Sequence, residues 1–290
     1  MVKREKLKKI ILGTWPISGD FTKVKDNQSI KTLRCAYDLG IAEFDTAPNY
    51  GFGKSEYLLG QAFHKLKHKP KINTKIGNNH RKDKNFKLSN LKKTFEKSLR
   101  LLKVNKVNIL YLHNPRNIKN QKEVIDYLKF LRKKKKINNY GISISKNFDY
   151  DDKFIKNFKI VQLDYNIIYL ENAFNDQFKK KIIHARSPLA AGTIFLKNSK
   201  KKFLKSDARF QWATIQRKKV IVSQLKLIKR TFKKNTYDLT LNFLFNDNFV
   251  KKIIFGVKNK TQLNHLIKSL KNINKRFINI NDYKKFYLSN

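Results

Sequence analysis

The chain is poor in the residues that staple or punctuate a fold. Among 290 residues it has one cysteine, ten glycines, five prolines and only 21 acidic side chains. A single cysteine excludes an intrachain disulfide, so the chain suits a reducing cytoplasm. That residue, Cys35, lies in the helical pattern TLRCAYDLG and reads as a small buried side chain. No apolar run nears the roughly 18 residues of a membrane span. The basic start MVKREKLKKIILGTW lacks the longer apolar region and small-residue cleavage site of a signal peptide. A cytoplasmic location with no membrane partner is expected. No linker rich in Pro, Gly or Ser and no low-complexity tail interrupts the chain, so residues 1–290 read as one domain. The GxGxxG turn that usually opens a doubly wound sheet is absent too.

The shortage of acid leaves 66 Lys and Arg largely uncompensated, a net charge of +45. Such an excess suits nucleic acid or an anionic membrane. A dedicated binding surface, however, is one basic segment beside a neutral fold. Here basic runs recur at 132–136, 179–181, 197–202, 218–219, 233–234 and 251–252. Lys, Asn, Ile and Phe, all with A/T-rich codons, are abundant throughout, which reads as background composition. No helix-turn-helix, zinc-knuckle or aromatic RNA-binding motif is present. The expectation is no specific nucleic-acid partner, with weak polyanion adhesion at low salt.

What is present is alternation. Strand-like runs at 10–15, 42–46, 71–76, 107–113, 139–145, 159–166, within 182–192 (a seventh strand and its loop) and at 251–257 are separated by helical patterns. The helices are expected at 28–40, 54–67, 89–103, 121–135, about 150–158, two within 217–246, and 260–271. Gly40 is placed to stop the first, and Ser89 to cap the third. Leu91, Phe95, Leu99 and Leu102 fall on one helical face, and Val124, Leu128 and Leu131 on another. Eight strands alternating with helices predict an α/β fold, a closed parallel (β/α)8 TIM barrel. An open doubly wound sheet is the runner-up. Between the sixth strand and the seventh, ENAFNDQFKK leaves too little for a full helix.

Four polar residues sit at or just past three strand ends: Asp45, Tyr50, Lys75 and His113. Singly, each has an ordinary reading as a cap, a packing ring, a surface charge or a satisfied core histidine. On a barrel, adjacent strand ends converge on one mouth, where the four can meet. A phenol of pKa about 10 is a weak acid at neutral pH. A neighbouring Lys75 ammonium is expected to lower that value, with Asp45 holding the lysine charged. Tyr50 can then protonate a carbonyl oxygen while His113 donates a hydrogen bond to it. Hydride must come from a nicotinamide cofactor, because no side chain supplies one. No metal is required.

The set resembles the aldo-keto reductase family over nearly the whole chain. GTW at 13–15 resembles the family's first-strand motif, and FDTAPNYG at 44–51 its Asp-to-Tyr signature. TK at 74–75 and LH at 112–113 complete the family's tetrad, which implies catalytic roles for Asp45, Tyr50, Lys75 and His113. GISIS at 141–145 resembles the strand whose serine contacts the nicotinamide amide, here Ser143. Ile144 stands where the family often has Asn. Gln162 matches the glutamine that also holds the amide. ARSPLAAG at 185–192 resembles the loop over nicotinamide and pyrophosphate, implying Arg186, Ser187, Leu189 and Gly192. Arg186 replaces a common stacking tyrosine. IIFGVKN at 253–259 resembles the last strand and adenosine-phosphate loop, implying Gly256, Lys258 and Asn259. Gln262, His265 and Leu266 stand where the family often has Arg and then Glu-Asn. The resemblance implies reduction of a small aldehyde or ketone with NADPH, NADH being the second choice. Trp15, Phe52 and Phe21 are candidates for the substrate wall. Loose similarity to bacterial members found with sugar or surface-polysaccharide synthesis implies a substrate of that kind. A non-catalytic NADP(H)-binding regulatory subunit on the same fold is the alternative. Oligomeric state is not legible.

Overall fold

A computed structural model describes residues 2–116, 118–145, 152–274 and 277–289. After a short helix α1 (Arg4–Lys8), the strand β1 (Ile10–Gly13) is fully buried and gives way to a turn at Trp15–Ile17, where Pro16 ends the extended run. There follow α2 (Asp26–Asp38), β2 (Glu43–Asp45), α3 (Lys54–Phe63), β3 (Lys71–Ile76) and α4 (Leu88–Leu102). Next come β4 (Val107–His113), α5 (Gln121–Lys133), β5 (Ile137–Ile144), α6 (Asp152–Ile155), β6 (Ile160–Asp164), α7 (Asp176–Lys179) and β7 (Ile182–Arg186). The chain closes with α8 (Ile215–Phe232), α9 (Thr236–Asn246), β8 (Val250–Gly256), α10 (Lys260–Leu270) and α11 (Ile280–Leu288). Each strand pairs in parallel with the next, and β1 pairs with β8, so the barrel is closed in sequence order. Among the described residues no helix is long and apolar enough to cross a membrane.

The period of two along each strand separates chemistry from packing. Phe44, Ile72, Leu110, Leu112 and Ile142 point outward and join the large apolar shell beneath the helices. Asp45, Asn73, Lys75, Tyr111, His113, Ser143, Gln162 and His184 occupy the alternate positions, facing the barrel interior, and all are buried. Ile109, Tyr111 and Ile160 form a small apolar cluster of their own there. At the amino-terminal end of the barrel, Glu43 accepts bonds from Lys252 at 2.8 Å and Asn73 at 2.9 Å. Burial works to raise the Glu43 carboxyl, yet these two partners hold it below its usual range.

Several local expectations need correction. Helix α4 begins at Leu88 after Lys87, so Ser89 lies in the first turn and no side chain caps the helix. Cys35 is half-buried against the shell rather than enclosed. Of the helix expected near 150–158, positions 150 and 151 lie outside the described residues, and the rest forms only the four-residue α6 before a turn. The trimmed connection after β6 is as its length suggested, one turn at Glu171–Phe174 and the four-residue α7. Gly40 does stop α2, in the left-handed conformation at φ 94°.

Candidate active site

The ends of β2, β3 and β4 bring Asp45, Lys75 and His113 to the mouth, and the loop after β2 returns Tyr50 to the same point. The loop can do so because Gly51 adopts φ 58°, and a Cβ there would meet the Ser18 carbonyl at 2.5 Å. Lys75 Nζ donates to Asp45 Oδ1 at 2.5 Å, to the Thr46 carbonyl at 2.7 Å and to Tyr50 Oη at 3.3 Å. The His113 ring meets Tyr50 edge-on, centroids 6.3 Å apart. Gln162 Nε2 donates to Asp45 Oδ2 at 2.8 Å, and Ser143 Oγ donates to Gln162 Oε1 at 2.8 Å. One buried chain of hydrogen bonds therefore runs Ser143, Gln162, Asp45, Lys75, Tyr50.

Burial is the largest influence on three of these groups. It acts to strip Lys75 of its proton, but Asp45 and Tyr50 outweigh it and keep the ammonium charged. For Tyr50 burial wins: the phenol is held above its usual pKa although Lys75 pulls the other way. The expected lowering of that pKa is thus overturned, because a dry site penalises phenolate more than one ammonium, already paired with Asp45, rewards it. His113 is pushed well below its usual range by burial and then by Lys75 and Arg186, so its imidazole is neutral.

The remaining expected residues divide. Trp15 stacks on Tyr50, centroids 5.5 Å apart and planes 14° apart, with Phe21 edge-on to it at 4.6 Å. Phe52 is 64% exposed, under the Lys82 ammonium at 4.5 Å. Arg186 at the end of β7 donates to Asp164 Oδ2 at 3.0 Å and to the Ile144 carbonyl at 3.2 Å. The loop beyond it is wound tightly: Ser187, Ala190, Ala191 and Gly192 all have positive φ, and Gly192 N–H bonds the Leu189 carbonyl at 2.7 Å. For the three residues with a Cβ this costs of order 1 kcal/mol each. Gly256 is required for packing, since a Cβ would meet Pro16 at 2.7 Å. Asn259 caps α10, and Gln262 accepts the Lys258 backbone N–H at 2.9 Å. Leu266 is in the core, whereas His265 is exposed, its ring tilted against Tyr237 with centroids 4.8 Å apart.

Sequence reading missed Arg209, Asp207 and Asp20. Arg209 is gripped by Asp207 through two side-chain bonds of 2.9 and 2.6 Å and reaches the Ala191 carbonyl at 3.4 Å. The Lys258 ammonium is lowered by burial and then by Arg209. Arg209 with its acid lies beside the Gly192 turn, near enough to Lys258 for its charge to act on that ammonium. No motif marks Arg209, which lies in a single 3-10 turn (Ala208–Phe210) of the long connection between β7 and α8.

A parallel eight-stranded barrel with a Lys–Asp–Tyr cluster at the carboxyl ends of its strands defines the class. The family model for the aldo/keto reductase family matches residues 9–283, and the chain belongs to that family. It is 31% identical over 162 residues to the Bacillus subtilis aldo-keto reductase YhdN, covering 54% of this chain and 45% of that protein. It is 31% identical over 113 residues to an L-galactose dehydrogenase of Arabidopsis thaliana, covering 38% of this chain and 35% of that protein. The matched stretches thus span less than half the length of either relative. An aldo/keto reductase from Klebsiella pneumoniae, solved with NADP and acetate, shares the fold at TM-score 0.68 and 19% identity, over 96% of this chain and 91% of that one.

Proposed function

We propose that this chain reduces an aldehyde or ketone with NADPH, with Tyr50 as the general acid. The observation that carries the reading is the buried contact of Lys75 with both Asp45 and Tyr50. A phenol held above its usual pKa is fully protonated at neutral pH, as an acid must be before it reacts. The adjacent ammonium costs the resting phenol nothing and stabilises charge as its proton leaves. Asp45 keeps Lys75 charged and aimed. Neutral His113 orients the carbonyl oxygen beside Tyr50; its ring lies edge-on to the phenol and its Nδ1 is buried without a protein partner. When bound, the nicotinamide cofactor supplies hydride.

The residues present fit such a cofactor. Ser143 and Gln162 offer a buried amide-binding pair whose orientation is fixed through Asp45. Arg186 carries an Nε atom that is buried and without a partner. Ser187, Leu189 and Gly192 would border the cofactor from the β7 loop, and Gly256 and Asn259 from the end of β8. Lys258 with Arg209 provides two cations for phosphate, which favours NADPH over NADH. Trp15 and Phe52 would wall the carbonyl substrate. Sugar-type carbonyls are the class to screen first, consistent with the activity that the Arabidopsis relative's name states.

Saturable binding of NADPH, tighter than NADH at physiological salt, is the first expected outcome. Tyr50→Phe should then lose about 10²–10⁴-fold in kcat with little change in NADPH affinity. Full activity in Tyr50→Phe removes Tyr50 as the acid. Tight NADPH binding without turnover in the wild type would instead make the chain a non-catalytic cofactor-binding subunit.

A further inference from the structure

The assignment above leaves one carboxylate at the mouth without a role. Asp20 lies in the loop after β1, its side chain 11% exposed. Its Oδ2 accepts Trp15 Nε1–H at 2.8 Å and the Gly51 N–H at 3.0 Å. Its Oδ1 accepts Lys82 Nζ at 2.9 Å, and its backbone carbonyl accepts the Ala208 N–H at 2.6 Å. One residue therefore ties together the loops that follow β1, β2, β3 and β7.

Two of these bonds bear on Tyr50 from different sides. Trp15 lies flat on the Tyr50 ring, so fixing the indole nitrogen fixes the surface against which the ring rests. Gly51 is the next residue in the chain, so holding its N–H holds the peptide plane through which Tyr50 is attached. The Gly51 turn runs close to Ser18, since a Cβ added there would meet the Ser18 carbonyl at 2.5 Å. Among the described residues Tyr50 has only the 3.3 Å contact with Lys75 to aim its hydroxyl, which is a long bond for an oriented acid. We infer that Asp20 is the positioning residue for the acid, fixing the Tyr50 ring through Trp15 and its backbone through Gly51. The inference rests on the assignment of Tyr50 above.

A carboxylate suits the task because one oxygen can take both N–H donors while the other takes the ammonium, and bonds to an ionised acceptor are the stronger kind. Asparagine keeps one acceptor oxygen and should hold Trp15 and Gly51 while losing Lys82. Leucine, of similar volume, holds none of them.

The test uses the Trp212→Phe protein, which leaves Trp15 as one reporter where the chain has two tryptophans. Trp15 emission, NADPH Kd and the kcat and KM for glyceraldehyde are compared for Asp20, Asp20→Asn and Asp20→Leu. Asp20→Leu should shift Trp15 emission to the red and lower kcat about tenfold to a hundredfold, since small misplacements of a reacting group cost that much. NADPH Kd should stay within about threefold, and Asp20→Asn should recover most of kcat. An Asp20→Leu protein that loses thermal stability but keeps kcat overturns the inference, as does Asp20→Asn failing as badly as Asp20→Leu. If Asp20→Leu does not fold, Trp15→Phe, which keeps a ring but loses the donor, should lower kcat at unchanged NADPH Kd. A change in KM alone makes Trp15 only a wall and overturns the inference. Tyr50→Phe run in parallel separates the two claims. Loss of the acid assignment shows in turnover, whereas the Asp20 contact shows in Trp15 emission.

Discussion

At the residue scale, Lys75 and Asp45 are worth more as a pair than either is alone. Both are buried, so Lys75→Met strands a carboxylate in a dry interior. We expect a loss of about 3–5 kcal/mol of stability in urea unfolding, together with loss of turnover. A second buried group sets an acid limit. His184 shares a 2.7 Å hydrogen bond with Tyr111, and burial lowers its pKa from 6.5 to about 4. Unfolding lets it take up a proton below its usual value, so the stability tied to the neutral ring is present above about 6.5 and is lost as pH falls towards about 4. The drop corresponds to at most about 3 kcal/mol. Thermal midpoints measured across that window should fall less steeply for His184→Asn than for the wild type. Asp45, Lys75 and His113 were legible in the sequence because each closes a short, recognisable run, and Tyr50 because it follows Asp45 in the same stretch FDTAPNYG. Asp20 and Arg209 were not. Asp20 meets Gly51 31 positions away and Lys82 62 positions away, and nothing in the local pattern predicts either contact.

At the element scale, periodicity located the strands and most helices, because a barrel strand is buried on both faces and a surface helix on one. Boundaries were less legible where a cap was replaced by ordinary backbone, as at the start of α4. The α3–α4 contact was hidden for a different reason. Gly60 is an unremarkable helical glycine until the facing chain is seen: a Cβ there would sit 2.2 Å from the Leu101 carbonyl oxygen. Alanine normally favours a helix by about 1 kcal/mol over glycine. Here the clash is with backbone, so Gly60→Ala should instead destabilise by about 1–3 kcal/mol, seen as a lower thermal midpoint with unchanged helical circular dichroism.

At the scale of the whole molecule, the last helix was opaque to sequence reading because its partners are remote. Tyr283 is fully buried in α11 and donates to the Ile167 carbonyl at 2.7 Å, and Tyr287 reaches the Ile168 carbonyl at 3.2 Å. Tyr283 also packs on Phe232 and Phe243, so α11 braces the loop after β6, where the connecting helix is cut down to the four-residue α7. Tyr283→Phe keeps the ring and removes the bond; it should cost about 1–2 kcal/mol in thermal or urea unfolding. Net charge acts at this scale too. Adsorption to heparin should be strong at low salt and should fade towards physiological salt without affecting NADPH binding.

The closure of β1 onto β8 pairs Ile10 with Ile253, a separation of 243 residues (253 minus 10). Polypeptide leaves a ribosome at about 5–20 residues per second, so β1 is made roughly 12–50 s before the strand that completes it. Through that interval its bare edge is a template for any other extended segment. The flanking Lys8 and Lys9 on one side, and the early turn at Pro16 on the other, keep that edge short and charged at its border. The same geometry that closes the ring last makes the birth of this protein, rather than its mature life, the moment at which its sheet is most open to a wrong partner.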